Sequence, residues 1–289
     1  MTDTHSEAQL TLAELLKDFS LEVTGKEQEK LADAADHIPQ GTRVNVTYLG
    51  NEDRASRVGT AASARRLGFT PVPHISARLV DSETELRDFL SDLGEADAAH
   101  SVFVIAGDPP APHGPYSDAL AVIDTGLFAG HGVEDVSISG YPEGHPSISA
   151  AKLWDALEDK IRSLERQGIP TSITTQFSFD ADRVLDWIAE VRRRGFDLPI
   201  RIGVPGPAGV RRLVRFASRF GIASSAGIVK KYGFSLTNLL GTAGPDRFLA
   251  DITEGYSREV HGDLRVHFYT FGDIEATSRW VEESLAVHR

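Results

Sequence analysis

Hydrophobic positions along this chain follow two alternating rhythms. Eight short runs rich in β-branched and aliphatic residues stand at Phe19 to Val23, Arg43 to Tyr48, Pro71 to Ser76, Ser101 to Ala106, Asp135 to Ser139, Ser172 to Phe177, Ile200 to Val204 and Leu264 to Thr270. Several lack polar alternation, as strands covered on both faces do. Between the fifth and sixth runs Leu153, Leu157, Ile161 and Leu164 recur at helical spacing, and Val184, Ile188 and Val191 do the same after the sixth. These stripes predict helices whose apolar faces lie on the strands. Gly168, Gly195 and Gly221 follow helical stretches, where glycine takes the left-handed terminating conformation without a side-chain clash. Strand and helix repeat with no low-complexity linker and no self-similar sequence repeat. The pattern predicts an α/β fold, a single (β/α)8 TIM barrel over residues 15–289, preceded by a flexible segment at residues 1–14.

Composition narrows the class of partner. At 289 residues the chain suits one barrel, a fold that commonly takes about 250. A net charge of −12 argues against nucleic acid and anionic membrane, both of which attract concentrated positive charge, and leaves small molecules as the expected partners. No apolar run reaches the roughly 18 residues of a bilayer span, and the polar opening Met1 to Gln9 lacks the regions of a signal peptide. A cytoplasmic location is therefore expected. The absence of cysteine excludes disulfides, thiol nucleophiles and thiolate metal sites. The histidines show no paired spacing of the kind that holds a metal, and no metal is predicted.

Barrel enzymes build their sites from the carboxyl ends of the strands and the loops that follow. In chain order those ends carry Glu22, Thr47, His74, Asp108, Tyr141 with His145, Gln176, the loop from Pro205 through Gly206 to Gly209, and Tyr269. Each alone has a structural explanation, such as a helix cap or a loop brace. Together they place two carboxylates and an amide around one mouth. The turn from Gly203 to Gly209 precedes Arg211 and Arg212, a candidate phosphate contact at the seventh βα loop, although glycine and proline are more often ordinary turn residues. Gly241-Thr-Ala-Gly244 is a second, weaker turn of this kind. Neither is a Rossmann fingerprint.

Seven short motifs now carry a resemblance that runs from Phe19 to about Val287. The most specific is Gly140-Tyr-Pro-Glu-Gly-His-Pro146, with Gly107-Asp-Pro-Pro110 before it and Thr175-Gln-Phe-Ser-Phe-Asp180 after it. Phe19-Ser-Leu-Glu22, Val46-Thr-Tyr48, Val204-Pro-Gly206 and His267-Phe-Tyr-Thr270 add shorter matches in the same order. In these residues the chain resembles the methylenetetrahydrofolate reductases, in their short bacterial form.

The resemblance implies hydride transfer between a nicotinamide dinucleotide and 5,10-methylenetetrahydrofolate, giving 5-methyltetrahydrofolate, or the reverse oxidation. It implies Glu22 as the general acid, Asp108 as a carboxylate near the pterin, Gln176 as the pterin-binding amide, and Tyr269 as a substrate contact. Thr47, His74, Gly107, Tyr141 and His145 match cofactor-contacting positions. Three departures stand out. Ala106 occupies the place of an arginine, Ser163 and Leu164 align with an Arg-Lys pair that offsets the flavin diphosphate, and Asp273 aligns with the arginine that holds the folate tail. Lys160, Arg162 or Arg166 are candidates to replace the diphosphate cations, and Arg201, Arg211, Arg212 or Lys231 the tail cation. The favoured expectation is a reductase without tightly bound flavin, using NAD(H) in preference to NADP(H), since no basic cluster is dedicated to a 2′-phosphate. An FAD enzyme with a ping-pong relay and a noncatalytic folate-binding barrel are the alternatives.

Overall fold

A computed structural model of the chain describes residues 10–50, 52–219 and 242–287. Eight parallel strands close into a barrel. In chain order they are Ser20–Thr24, Arg43–Thr47, Thr70–Ser76, Ser101–Ile105, Asp135–Gly140, Thr171–Thr175, Ile200–Pro205 and Leu264–Tyr269. Neighbours in sequence are neighbours in the ring, and the first strand closes on the eighth with Ser20 opposite His267. Each expected run lies on one of these strands. Residues 1–9 of the expected flexible segment lie outside the described residues, and Thr11 caps a short helix, Leu12–Leu16.

The strands alternate between two environments. Leu21, Val23, Val44 and Val46 face outward into the core shared with the helices, while the intervening Ser20, Glu22 and Asn45 face inward, as the period of two requires. Inward polar residues pair between neighbouring strands: Asn45 Oδ1 lies 3.3 Å from His74 Nε2, and Ser137 Oγ lies 2.9 Å from Thr174 Oγ1. Barrel interiors are usually packed with branched aliphatic side chains. This one is polar along much of its length.

The helix Ala150–Arg166 buries Leu157, Ile161 and Leu164, and the helix Ala181–Arg193 buries Val184, Ile188 and Val191. Leu153 is only half-buried and lines a cleft between the two helices. Side chains that precede the helices accept their first free amides, Ser149 from Lys152 and Asp180 from Arg183. Gly168 and Gly195 end these helices at φ +69° and +88°, while Gly221 lies outside the described residues. After the seventh strand, Ala208–Gly209 pairs with Thr242–Ala243 as a small antiparallel ribbon, and the helix Val210–Arg219 follows. Gly241 of the second turn also lies outside the described residues.

Candidate active site

Glu22 sits at the carboxyl end of the first strand, its side chain 16% exposed, with its Oε2 3.9 Å from His267 Nε2. Burial is the main cause that pushes its carboxyl up to about 8, and the nearby Glu27 adds to it. A carboxyl so placed is mostly protonated at neutral pH. His267 is itself fully buried, and burial first, then the charge of Arg201, lowers its imidazole to about 3. Its Nδ1 lies 2.9 Å from Ser20 Oγ, while its Nε2 has no hydrogen-bond partner among the described residues. One set of proton positions fits all three groups. Glu22 carries its proton toward Nε2, Nδ1–H donates to Ser20 Oγ, and the serine hydroxyl turns to the Val266 carbonyl at 3.4 Å.

Further polar groups reach the same throat. His74 is lowered to about 3 by burial and by the neighbouring His267, so two neutral imidazoles share the interior. Thr47 Oγ1 and Ser76 Oγ, at the ends of the second and third strands, are buried without a hydrogen-bond partner among the described residues. Gly107, at φ +90°, brings the loop after the fourth strand so close that an added Cβ would lie 3.2 Å from Ser76 Cβ. Arg78 braces that loop by donating to Ser117 O and Pro109 O at 2.7 and 3.2 Å. Asp108 is exposed on it, and its charge bears on both Tyr141 and His145. Burial chiefly raises the Tyr141 phenol and lowers the His145 imidazole, and the two rings meet edge to face at 5.7 Å.

Gln176 follows the sixth strand. Its backbone donates to Gly140 O at 2.8 Å, and its amide Oε1 accepts from Phe177 N at 3.0 Å. The amide nitrogen makes no hydrogen bond among the described residues. Ser178 Oγ donates to Glu143 Oε1 at 2.5 Å, joining the loops after the fifth and sixth strands. Tyr269 donates to Thr175 O at 3.0 Å, and burial, reinforced by Glu22 and Tyr141, holds its phenol well above its usual range. The expected residues Glu22, Thr47, His74, Gly107, Asp108, Tyr141, His145, Gln176 and Tyr269 thus surround one end of the barrel. The seventh loop sits differently. Gly206 donates to Tyr269 O at 2.9 Å and has no room for a Cβ beside Thr277, so its amide is already engaged, whereas Gly209 is exposed in the ribbon. Ser20, His267, Ser76 and Ser178 were missed as single residues. The first two were legible, because Ser20 lies two positions before Glu22 and His267 two before Tyr269, which puts each on the same strand face.

The candidate cations can also be located. Ser163 is buried, and its Oγ donates to Asp124 Oδ1 at 2.5 Å, while Leu164 lies in the core. Ser163 is thus tied to the residue that ends the helix Ala119–Ile123, and Leu164 is taken up by the core. Arg162 pairs with Glu158, Arg166 is exposed, and Lys160 is buried, which lowers its ammonium to about 8 against the opposing effect of Asp118. Arg201 is buried at the other end of the barrel against Asp18, Arg211 is exposed, and Lys231 lies outside the described residues. Among the described residues no helix is long and apolar enough to cross a membrane, and no cluster of three or more His, Asp and Glu side chains is placed to hold a metal.

Comparison with known proteins agrees with this geometry. The family described as methylenetetrahydrofolate reductase matches residues 14–231. The chain is 28% identical over 178 residues to 5,10-methylenetetrahydrofolate reductase of Pectobacterium carotovorum subsp. carotovorum, covering 61% of this chain and 57% of that protein. It is 27% identical over 176 residues to the enzyme of the same name from Salmonella typhimurium, covering 60% and 57%. The matched part thus spans little more than half of these relatives. Among solved structures, dihydropteroate synthase from Thermus thermophilus superposes with a TM-score of 0.51 over 94% of this chain and 92% of its own, at 15% identity, a likeness of fold alone.

Proposed function

From the premise that this chain belongs to the methylenetetrahydrofolate reductase family, we propose that it transfers hydride between NADH and 5,10-methylenetetrahydrofolate, in either direction, within one catalytic domain over residues 15–289. The observation that carries this reading is Glu22, a carboxyl held protonated to about pH 8 beside a neutral imidazole at the mouth. Reduction needs the five-membered ring to open. The methylene carbon's bond to N10 breaks, N10 takes the proton from Glu22, and the carbon becomes an N5-iminium cation. Hydride from the nicotinamide adds to that carbon to give the 5-methyl product and the oxidised dinucleotide, and Glu22 regains a proton from water. The carboxylate of Asp108 would stabilise the cation, and the free amide nitrogen of Gln176 would donate to the pterin. Tyr269 would close the substrate side. Thr47 Oγ1 and Ser76 Oγ, which have no partner among the described residues, with His74, Gly107, Tyr141 and His145, would receive the nicotinamide ring, and the open Gly209 turn a phosphate, with Gly206 shaping the wall. We place the enzyme in the cytoplasm.

The family resemblance also implies a flavin. The residues here fit its ring better than its diphosphate: Ala106 brings no charge, and Ser163 and Leu164 are buried in helix packing. The test is the visible absorption of purified protein before and after incubation with FAD and desalting, read beside initial-rate kinetics. A colourless protein that oxidises NADH with methylenetetrahydrofolate in an intersecting-line pattern supports direct transfer in a ternary complex. Stoichiometric flavin bands with parallel lines would replace it by the ping-pong flavoenzyme, and a colourless protein that binds folate without turnover by the noncatalytic barrel.

A further inference from the structure

A series of contacts leads out of the throat along the eighth strand. The His267 and Tyr269 rings meet at 4.9 Å, and Tyr269 stacks on Phe271 at 6.3 Å and 30°. Phe271 also meets Phe177 edge to face at 5.3 Å. It is half-exposed and stands at φ +51°, a backbone conformation rare for a bulky residue, which persists only where the surroundings enforce it. Beyond it, Arg212 from the seventh unit donates to Phe271 O at 3.4 Å and lies 4.0 Å from Asp273 Oδ2. The other carboxylate oxygen of Asp273 accepts from Ala276 N at 3.3 Å, at the start of the helix Ile274–Val287. Both contacts of Arg212 are long, and its side chain is 42% exposed, so the guanidinium is positioned yet keeps donors for a ligand.

We propose that Phe271 and Arg212 hold the tail of the folate substrate, the ring stacking on its p-aminobenzoyl group and the guanidinium pairing with its glutamate carboxylates. The assignment rests on the folate reading above. The order along the wall is the order along the substrate: acid and amide for the pterin, then an aromatic ring, then a cation. A dianionic tail approaching a chain of net charge −12 needs a local cation at its landing point. Arg212 supplies one from the seventh unit beside Asp273, which carries the opposite charge. Arg201 cannot serve, since it is buried at the far end of the barrel.

The experiment is calorimetric binding of 5-methyltetrahydrofolate and of 5-methyltetrahydropteroate, which lacks glutamate, to the wild type, Arg212→Ala, Arg212→Lys and Phe271→Ala, with thermal melts as a folding control. Arg212→Ala should bind the glutamate-bearing ligand about tenfold more weakly and the pteroate as the wild type does, with Arg212→Lys in between. Phe271→Ala should weaken both ligands. Equal losses for both ligands in Arg212→Ala, or no loss for either, would overturn the tail assignment while leaving the reductase reading intact. A wild type that binds neither ligand would overturn both.

Discussion

At the floor of the barrel Arg43, from the second strand, reaches across to Asp135 of the fifth at 2.7 Å, and Ser101 donates to the same carboxylate at 2.5 Å. Asp18 takes both Arg201 and Arg265. At the mouth, Glu22 and two imidazoles are buried without a counter-charge within bonding distance among the described residues, and the Thr47 and Ser76 hydroxyls find no hydrogen-bond partner among them. Both ends are polar, but among the described residues these floor carboxylates are matched and the mouth groups are not. Desolvation penalises the charged forms at the mouth and leaves the neutral ones favoured, so that end loses stability wherever pH would charge those groups. Buried groups satisfied by their own chain hold the fold together, while those left unsatisfied keep a place for a ligand.

The sharpest way to break this contrast is Glu22→Gln, which keeps the shape and removes the proton. Turnover should fall about 10³-fold with folate binding retained, as stopped-flow hydride transfer and calorimetry would measure. Stability should move the other way. A carboxyl raised from 4.5 to about 8 contributes fully below the unfolded value and loses that contribution as pH rises toward 8. The variant should therefore be more stable by about 3 kcal/mol at pH 7 and no different at pH 4 in urea melts. In the wild type the reducing direction should lose rate above about pH 8, and the oxidising direction, which needs the carboxylate, should lose it below. Unchanged turnover in the variant, or identical pH limbs in both directions, would remove Glu22 from the proton step.

Asp18→Asn tests the other end. Breaking a buried ion pair costs about 3–5 kcal/mol, but the Asp18 side chain is 45% exposed. A loss of about 2 kcal/mol is expected after allowing for solvent screening, with kcat and KM within twofold of wild type. A floor mutation that changed KM tenfold while stability held would abolish the division between the two ends.

The barrel was legible because eight short apolar-rich runs alternate with helical stripes, and the observed strand ends lie within about two residues of the expected ones. The inward polar face was partly legible. Glu22 and Tyr269 stand at strand ends, and the period of two puts Ser20 and His267 on the same faces, but that these two meet each other emerges only from pairing the first strand with the eighth, a closure between residues 247 positions apart. Ser163 and Leu164 illustrate the reverse. An alignment can mark missing cations there, but that Ser163 is taken up by a hydrogen bond to Asp124 and Leu164 by the core depends on tertiary contacts that sequence spacing does not encode. Gly206 reads as a phosphate turn, yet tertiary contact turns its amide to Tyr269 O.

The smallest expected effect lies where the two loops are latched. Ser178 donates to Glu143 Oε1 and accepts from Asp180 N at 3.0 Å, two residues beyond Gln176. Ser178→Ala removes the charge-assisted hydrogen bond to Glu143 and the neutral one from Asp180 N, for which together about 1–2 kcal/mol of stability is expected in thermal or urea melts. Glu143, half-exposed, can turn to water once released, which keeps the loss toward the lower end. The latch sets the spacing between Gln176 and Tyr141, so loosening it should raise KM for folate about threefold with little change in kcat, because Glu22 and its partners lie on other strands. Glu143→Gln retains an acceptor for Ser178 and should give a smaller shift. If Ser178→Ala lowers stability while KM stays at the wild-type value, the latch belongs with the floor as a brace of the fold, and the mouth's geometry is set by its strands alone.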